Sequence, residues 1–379
     1  MRHGIGAGAA ALLWLGTAQA MAQEPIKIVD VAELSGGGAT VGTNFKNGAD
    51  LAVDEINAKG GILGHKIEIT HYDTQSNAGV ARGLVQKAID SEPYVIFGPG
   101  YSGSVKAVAP LFQQAQITDI MGGEAAELTK FGNPYIFRTS FGQQSSMPKV
   151  ARYLHDEVKA QTVALEWVNN DFGKGGRDEI TKSLGELGVK IVADISSEQG
   201  QADFSSDVAK IKAASPDAVF VYLNEDESAR FLKEAQKQTL GKPLIGETTL
   251  LGQKVIDRAG SAADGVRGHI GLTTDAPVPA VQEFRRRFEA RFHYVPDHNG
   301  IKGYLAPYMV KAATEKMGKL DREHLADALH GLTITPDKEP GILMEATWDK
   351  NGDIDRQSFL AEVEGGKQTI IKILPKLSK

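Results

Sequence analysis

The chain has 379 residues, of which 41% are hydrophobic and 24% are charged. These values are ordinary for a soluble globular protein, and they exclude an intrinsically disordered chain or a collagen-like fibre. The formal net charge of −6 argues against bulk attraction to nucleic acid or to an anionic membrane surface. The sequence contains no cysteine, which excludes disulfides, thiol catalysis, iron–sulfur clusters and cysteine-ligated zinc. At roughly 150 residues per domain, the length predicts two or three domains.

The first 22 residues have the pattern of a secretory signal peptide. Arg2 precedes an apolar stretch at 5–15, and small residues surround candidate cleavage sites near Ala20 and Ala22. A membrane anchor is the alternative interpretation, but the stretch is too short and too rich in glycine for a stable span. We therefore predict that residues 1–22 are removed and that the mature protein is exported to a bacterial periplasm.

From residue 23 onward, short β-rich runs alternate with stretches of helical periodicity. In the first part, strands are predicted at 26–32, 66–72, 94–97 and 117–121, with helices within 45–56, 80–88 and 104–115. In the second part, strands are predicted at 162–167, 189–195, 218–223 and 243–246, with helices at 175–187, 205–214 and 227–238. Two such stretches predict an α/β fold with two doubly wound parallel-sheet lobes.

After residue 271 this alternation stops. Helices are predicted at 278–292, 300–317 and 321–329, and strands at 341–348, 359–363 and 369–374. These pieces cannot build a third α/β domain by themselves, so we expect them to complete the two earlier ones. The chain then crosses between the lobes at three places, near 139–142, 269–273 and 348–355, and such a three-segment hinge bends without swivelling freely. The predicted N-terminal lobe is 23–141 with 272–350, and the predicted C-terminal lobe is 142–271 with 351–379.

The sharpest local motif runs from Gly98 to Gly103 and matches G-x-G-x-x-G between a strand and a helix. The context disfavours dinucleotide binding, because the motif follows the third strand of its unit rather than the first. It also disfavours a hydrolase nucleophile at Ser102, because the final glycine of that motif is missing. A small ligand's carboxylate fits better, since the helix N-terminus offers unpaired N–H groups and Ser102 adds a hydroxyl. The structural alternative is that Ser102 only caps the helix.

Ligands of open α/β sheets bind at the carboxyl ends of the strands, and polar or glycine-rich loops follow several predicted strands here. Gly122 and Gly123 permit close approach to the backbone, and Glu124 either holds an ammonium group or is only a first-turn helix charge. In the second lobe, Phe172 is expected to wall an apolar part of the ligand. The candidate ligand-binding residues are Tyr101, Ser102, Gly103, Gly122, Gly123, Glu124, Phe172, Asn224, Glu247 and Thr248. We predict no catalytic residue, no metal and no cofactor.

Segments spread over nearly all of residues 25–375 resemble the periplasmic leucine/isoleucine/valine-type binding proteins. They are the runs at 26–36 and 48–62, the pair Tyr72-Asp73, and the motifs at 135–139, 171–173, 203–205, 217–220 and 348–353. The resemblance implies a type I periplasmic binding fold, with a cleft between two lobes, that delivers solute to the membrane permease of an ABC transporter. A ligand-sensing subunit for a membrane receptor and an exported enzyme are the alternatives. We expect a monomer that does not bind nucleic acid.

The resemblance also implies roles for single residues. Ser102 matches the serine that typically holds the ligand carboxylate, and 122–124 match the loop that binds the α-carboxylate and α-amino groups. Thr248 stands where an acidic residue often pairs with the amino group, with Glu247 beside it. The resemblance therefore implies that the residues that bind the ligand carboxylate are the same as in the family, whereas those that bind its amino group differ. The predicted ligand is a branched-chain amino acid or a related small carboxylate, and the alternative is an aromatic or keto acid without an amine.

Overall fold

The computed structural model describes Met1 and residues 23–377, so the predicted signal peptide lies, apart from Met1, outside the described residues. The first sheet contains β1 (Ile26–Ala32), β2 (Ile67–Asp73), β3 (Val95–Phe97), β4 (Asp119–Met121) and β5 (Ile136–Arg138). The first four strands are connected by α1 (Ala39–Ala58), α2 (Ala78–Asp90) and α3 (Ser102–Ala115). The strands pair in parallel in the order β2-β1-β3-β4-β5. The continuous apolar character of β1 follows from helices covering both faces of this sheet.

The next part of the chain builds a second parallel sheet. Its strands are β6 (Thr162–Val168), β7 (Lys190–Ser197), β8 (Ala218–Tyr222), β9 (Leu244–Gly246) and β10 (Arg267–Ile270). Its helices are α4 (Gln143–Asp156), α5 (Asp171–Glu186), α6 (Ser205–Ala214), α7 (Glu225–Lys237) and α8 (Gln253–Ala259). These strands are ordered β10-β9-β8-β6-β7, each parallel to its neighbours. The predicted alternation of strands and helices is therefore present in both parts.

The last part of the chain divides between the two lobes. The first lobe receives α9 (Pro279–Phe292), α10 (His298–Met317), α11 (Leu325–Leu329), β11 (Thr333–Ile334), β12 (Ala346–Trp348) and β13 (Ile354–Asp355). Their apolar side chains join one core cluster with those of α1 and the first sheet. The second sheet is then extended beyond β10 by two antiparallel strands, β14 (Ser358–Glu364) and β15 (Lys367–Leu374).

The chain passes between the lobes three times: between β5 and α4, between β10 and α9, and between β13 and β14. The third passage differs from the expected one at 348–355. Trp348 and Ile354 pair with each other in the antiparallel ladder of β12 and β13. The passage therefore follows Asp355, because the preceding residues are still held in the first lobe.

Two predicted elements of this region are shorter than expected. The predicted strand at 341–348 begins only at Ala346, because Pro340–Ile342 form a 3-10 turn and Leu343 adopts a left-handed φ of 62°. The predicted helix at 321–329 begins only at Leu325, since the carboxylate of Asp321 accepts the backbone N–H of His324 and closes a separate turn.

Glu166 on β6 makes the stability of the second lobe depend on pH. Its side chain is fully buried, one carboxylate oxygen accepts the hydroxyl of Ser197, and the other has no hydrogen-bond partner among the described residues. Burial raises the pKa of Glu166 to about 8. Because the folded state then holds a proton that the unfolded chain releases, this contribution to stability is present at low pH and is lost as pH rises toward 8.

We therefore expect Glu166→Gln to flatten the pH dependence of the free energy of unfolding. The slope it removes should approach about 1.4 kcal/mol per pH unit between about pH 5 and about pH 8. Urea denaturation of both proteins across this range measures the difference. Parallel curves for wild type and variant would show that Glu166 ionises equally in the folded and unfolded states.

Candidate ligand-binding site

A cavity of about 230 Å³ lies between the two lobes, at the carboxyl ends of strands from both sheets. The first turns of α3, α5, α7 and α10 form part of its wall. The partial positive charge of helix N-termini favours an anionic group at such a place. At the rim, the Nζ atom of Lys106 on α3 lies 2.8 Å from a carboxylate oxygen of Asp171 on α5. The two lobes are thus in contact beside the cavity.

Most of the predicted ligand-binding residues surround this cavity. Seven of the ten line it: Tyr101, Ser102, Gly103, Gly122, Glu124, Phe172 and Asn224. The remaining three, Gly123, Glu247 and Thr248, are not among its lining residues. Gly123 packs inward, since a Cβ atom there would lie 2.7 Å from the side chain of Leu128. Whether the seven contact a ligand stays a prediction.

Ser102 is the first residue of α3 and is only 2% exposed. Its Oγ atom accepts hydrogen bonds from the backbone N–H groups of Glu124 (3.3 Å) and Ala125 (3.2 Å). These bonds occupy the lone pairs of the oxygen, so the hydroxyl hydrogen is left to donate. Tyr101 takes the N-cap position of the helix, so Ser102 is not its cap residue, and it lines the cavity.

The turn before α3 is less open to a ligand than the sequence predicts. The buried carboxylate of Glu33 accepts hydrogen bonds from the backbone N–H groups of Gly100 (2.9 Å) and Tyr101 (3.1 Å). Burial raises the pKa of Glu33 to about 7, and these two bonds oppose the rise. The backbone N–H groups of Gly100 and Tyr101 are therefore engaged within the protein, and the predicted carboxylate contact at this end of α3 falls to Ser102.

Glu124 is paired with a cleft residue that the sequence analysis does not identify, Lys302 on α10. The Nζ atom of Lys302 lies 2.5 Å from Oε1 of Glu124, and the two side chains are 4% and 11% exposed. Burial raises the pKa of Glu124, and the charge of Lys302 opposes the rise. The only signal for Lys302 in the sequence is a lysine whose neighbours on the same helical face, Leu305 and Ala306, are apolar. Glu124 is therefore neither a helix charge nor a free carboxylate.

Glu247 and Thr248, which are expected near a ligand amino group, are not among the residues that line the cavity. One oxygen of Glu247 is 2.8 Å from Nδ1 of His269 on β10, and the other accepts the backbone N–H of Thr248 at 2.6 Å. Both oxygens are engaged because Glu247 directly follows β9 and turns toward the neighbouring strand. The next residue, Thr249, lines the cavity instead.

The apolar part of the wall is held rigidly. The rings of Phe172 and Tyr222 stack with centroids 4.3 Å apart and planes 24° apart. The side-chain amide of Gln143 donates to the carbonyl of Phe172 (2.7 Å) and to the hydroxyl of Tyr222 (3.0 Å). Asn170 caps α5 by accepting the N–H of Gly173 at 2.9 Å. Phe172 is therefore fixed at the start of α5 and does not need to be ordered by a ligand.

Two further lining residues, Asn299 and Thr249, were not predicted and end in unsatisfied polar atoms. Nδ2 of Asn299 and Oγ1 of Thr249 are buried without a hydrogen-bond partner among the described residues. The residues are only 2% and 7% exposed, respectively. An unpaired buried polar group costs about 1–3 kcal/mol, which a ligand atom can offset. Residues with unsatisfied donors thus adjoin the cavity from both lobes, Asn299 on the first and Thr249 on the second.

Within residues 23–377, no cluster of three or more potential metal ligands is arranged to hold an ion. His71, which lies beside two carboxylates, instead forms ion pairs with Asp30 (2.7 Å) and Asp50 (2.8 Å). Burial lowers the pKa of His71 but the two carboxylates raise it more, to about 9. No helix in the described part of the chain is long and apolar enough to cross a membrane.

Comparison with known proteins identifies relatives over nearly the whole chain. A family model described as "Periplasmic binding protein" matches residues 25–368. The leucine-, isoleucine-, valine-, threonine- and alanine-binding protein of Pseudomonas aeruginosa is 24% identical over 344 residues, which cover 89% of this chain and 90% of that protein. The Leu/Ile/Val-binding protein of Escherichia coli is 28% identical over 244 residues, which cover 64% of this chain and 66% of that protein.

Solved structures with a similar fold include two complexes. The substrate-binding protein of a branched-chain amino acid transporter from Streptococcus pneumoniae, bound to isoleucine, matches with a TM-score of 0.83 and 25% identity, over 93% of this chain and 100% of that chain. An ABC transporter solute-binding protein from R. palustris, bound to benzoate, matches with a TM-score of 0.85 and 23% identity, over 94% and 98%. Because its sequence identity is only 23%, the second match is evidence for a shared fold and not for a shared ligand. The predicted fold class is confirmed by these matches.

Proposed function

We propose, since the chain belongs to the periplasmic binding protein family, that it is the solute-binding component of an ABC importer. It acts in the periplasm, where it binds a branched-chain amino acid or a related small carboxylate between its lobes. The three-segment hinge closes the lobes around the solute, which then passes to a membrane permease. As a member of this family it is a binding protein and not an enzyme.

The observation that carries this proposal is a cavity lined from both lobes by residues with unsatisfied donors. A ligand that contacts both lobes favours the closed form through its differential affinity for that form. To shift the ratio of closed to open protein from roughly 1:99 to 99:1, the ligand must bind the closed form more favourably than the open form by about 5.5 kcal/mol. Charge-assisted hydrogen bonds contribute about 1.5–3 kcal/mol each, so a carboxylate held by Ser102, Asn299 and Thr249 is of the right order.

Two ligand classes fit the proposal. An aliphatic amino acid is supported by the Pseudomonas aeruginosa relative, which is named for binding leucine, isoleucine, valine, threonine and alanine. A carboxylate without an amine is the second candidate, because Glu247, the expected amine partner, does not reach the cavity. A thermal-shift screen of the protein against amino acids, 2-oxo acids and benzoates distinguishes the classes, since a ligand in large excess raises the melting temperature.

Ser102→Ala should weaken binding of the best ligand from this screen at least about tenfold, because one hydrogen bond to a charged group is lost. Isothermal titration calorimetry measures the affinity of both proteins. Ser196→Ala, on the exposed face of β7, is the matched control and should bind as wild type does. Unchanged affinity in Ser102→Ala would remove Ser102 from the site. If no compound in the screen raised the melting temperature, the proposed function itself would be contradicted.

A further inference from the structure

We infer that Glu225 of α7 holds a protonated amine of the ligand, so that the cleft selects amino acids over carboxylates that lack an amine. This inference rests on the proposed function and specifies its ligand class. Glu225 follows the N-cap residue Asn224 and lines the cavity from the second lobe. The role that the sequence predicts for Glu124 or for Glu247 and Thr248 thus passes to a carboxylate at the start of α7, which follows β8.

The charges around the cavity leave Glu225 without a counter-ion. Lys302 pairs with Glu124 across 2.5 Å, and Lys106 is shared between Asp171 (2.8 Å) and Glu127 (2.9 Å). Among the described residues, the carboxylate of Glu225 forms no ion pair and its hydrogen bonding is confined to its own backbone N–H. Glu225 is therefore a carboxylate of the cavity wall without a side-chain counter-ion.

The groups that face Glu225 from neighbouring elements reinforce this imbalance. Burial raises the pKa of Glu225 to about 7, and the carboxylates of Asp297 and Glu124 add to the rise. Its own backbone N–H and the charge of Lys302 oppose it. His298 at the start of α10 supplies no positive charge, because burial holds its pKa well below the usual range. An ammonium group placed here would be attracted by Glu225 and would relieve the repulsion from its acidic neighbours.

The unsatisfied donors of the same cavity point to the other end of the ligand. Nδ2 of Asn299 and Oγ1 of Thr249 are buried and unpartnered, and the Ser102 hydroxyl hydrogen is left to donate. These three groups suit a carboxylate, whereas Glu225 suits a cation. A zwitterion therefore complements the cavity at both ends. An acid without an amine would satisfy the donors and leave its negative charge near a carboxylate that has no side-chain counter-ion.

The test compares amino acids with 2-oxo acids of the same skeleton in wild type and Glu225→Gln. The pairs are leucine with 4-methyl-2-oxopentanoate and phenylalanine with phenylpyruvate, and calorimetry measures each affinity. We expect the wild type to prefer the amino acid of at least one pair by at least about tenfold, and Glu225→Gln to lose most of this preference by weakening amino-acid binding. Asp226→Asn is the matched control, since Asp226 is paired with Arg258 and is not a lining residue. It should keep the wild-type preference.

The outcomes separate this inference from the proposed function. A protein that binds a 2-oxo acid or benzoate more tightly than the amino acids, or a Glu225→Gln variant with an unchanged preference, overturns the role of Glu225 and leaves carboxylate binding intact. An equal loss in Asp226→Asn also overturns it, because the effect would then reflect the general acidity of α7. If none of the compounds bind, the proposed function fails first. Thermal unfolding of each variant verifies that it is folded.

Discussion

Gly303→Ala is expected to lower the free energy of unfolding by about 3 kcal/mol or more. Gly303 lies on α10 where this helix packs against α1, and a Cβ atom there would lie 1.9 Å from the carbonyl oxygen of Phe45. The close approach is reciprocal, since a Cβ atom on Gly48 of α1 would lie 2.0 Å from the carbonyl oxygen of Gly300. The obstacles are backbone atoms, which a change of rotamer cannot move. Accommodation of the methyl group therefore requires the two helices to separate.

Separation of α1 from α10 would also disturb the cleft, because the N-terminal end of α10 carries Asn299 and Lys302. We therefore expect the folded fraction of Gly303→Ala to bind ligand more weakly than wild type does. Urea denaturation followed by circular dichroism measures the stability, and calorimetry measures the affinity.

Gly83→Ala is the matched control for this substitution. Gly83 lies in the interior of α2, is exposed, and a Cβ atom there would meet nothing within 4 Å. This variant should be stabilised by up to about 1 kcal/mol, because alanine has the higher helix propensity. A Gly303→Ala protein as stable as wild type would show that α1 and α10 can move apart without cost.

The buried strands and most helices are predictable because their patterns are local. The strand predicted at 218–223 is observed at Ala218–Tyr222, and the helix predicted at 205–214 has the same bounds in the structure. A continuous apolar run or a 3.6-residue period needs no distant partner to be recognised. The position of the third passage between the lobes cannot be predicted from a local pattern. The indole N–H of Trp348 donates to the carbonyl of Arg138 in the first lobe, and no local pattern contains such a contact.

The candidate site likewise contains residues that the sequence alone can locate and residues that it cannot. Ser102, Phe172 and Asn224 follow strand ends, so the general rule for ligands of α/β sheets is sufficient to locate them. Lys302 and Asn299 lie on a helix from a remote part of the sequence, and only the packing of α10 on α1 brings them to the cleft. Beyond a strand end the alternation of side chains is no longer fixed. The sequence therefore could not show that Thr249 lines the cavity while Glu247 does not.

Lys302→Met is expected to lower the free energy of unfolding by about 3–5 kcal/mol near about pH 8, because it leaves the carboxylate of Glu124 buried and unpaired. The loss should be smaller near about pH 5. Burial raises the pKa of Glu124 and Lys302 opposes that rise, so removal of Lys302 raises the pKa further. The folded variant then holds a proton that the unfolded chain releases, and its stability falls as the pH increases.

A double-mutant cycle isolates the pair from the rest of the cleft. Glu124→Gln combined with Lys302→Met should recover most of the lost stability, because no charge of the pair then remains buried. Lys316→Met, on the exposed side of the same helix, should change the free energy of unfolding by less than about 0.5 kcal/mol. Urea denaturation of all variants at both pH values completes the measurement. If the single effects were additive, Lys302 would not be the counter-ion of Glu124, and it would be available to neutralise Glu225 in the absence of ligand.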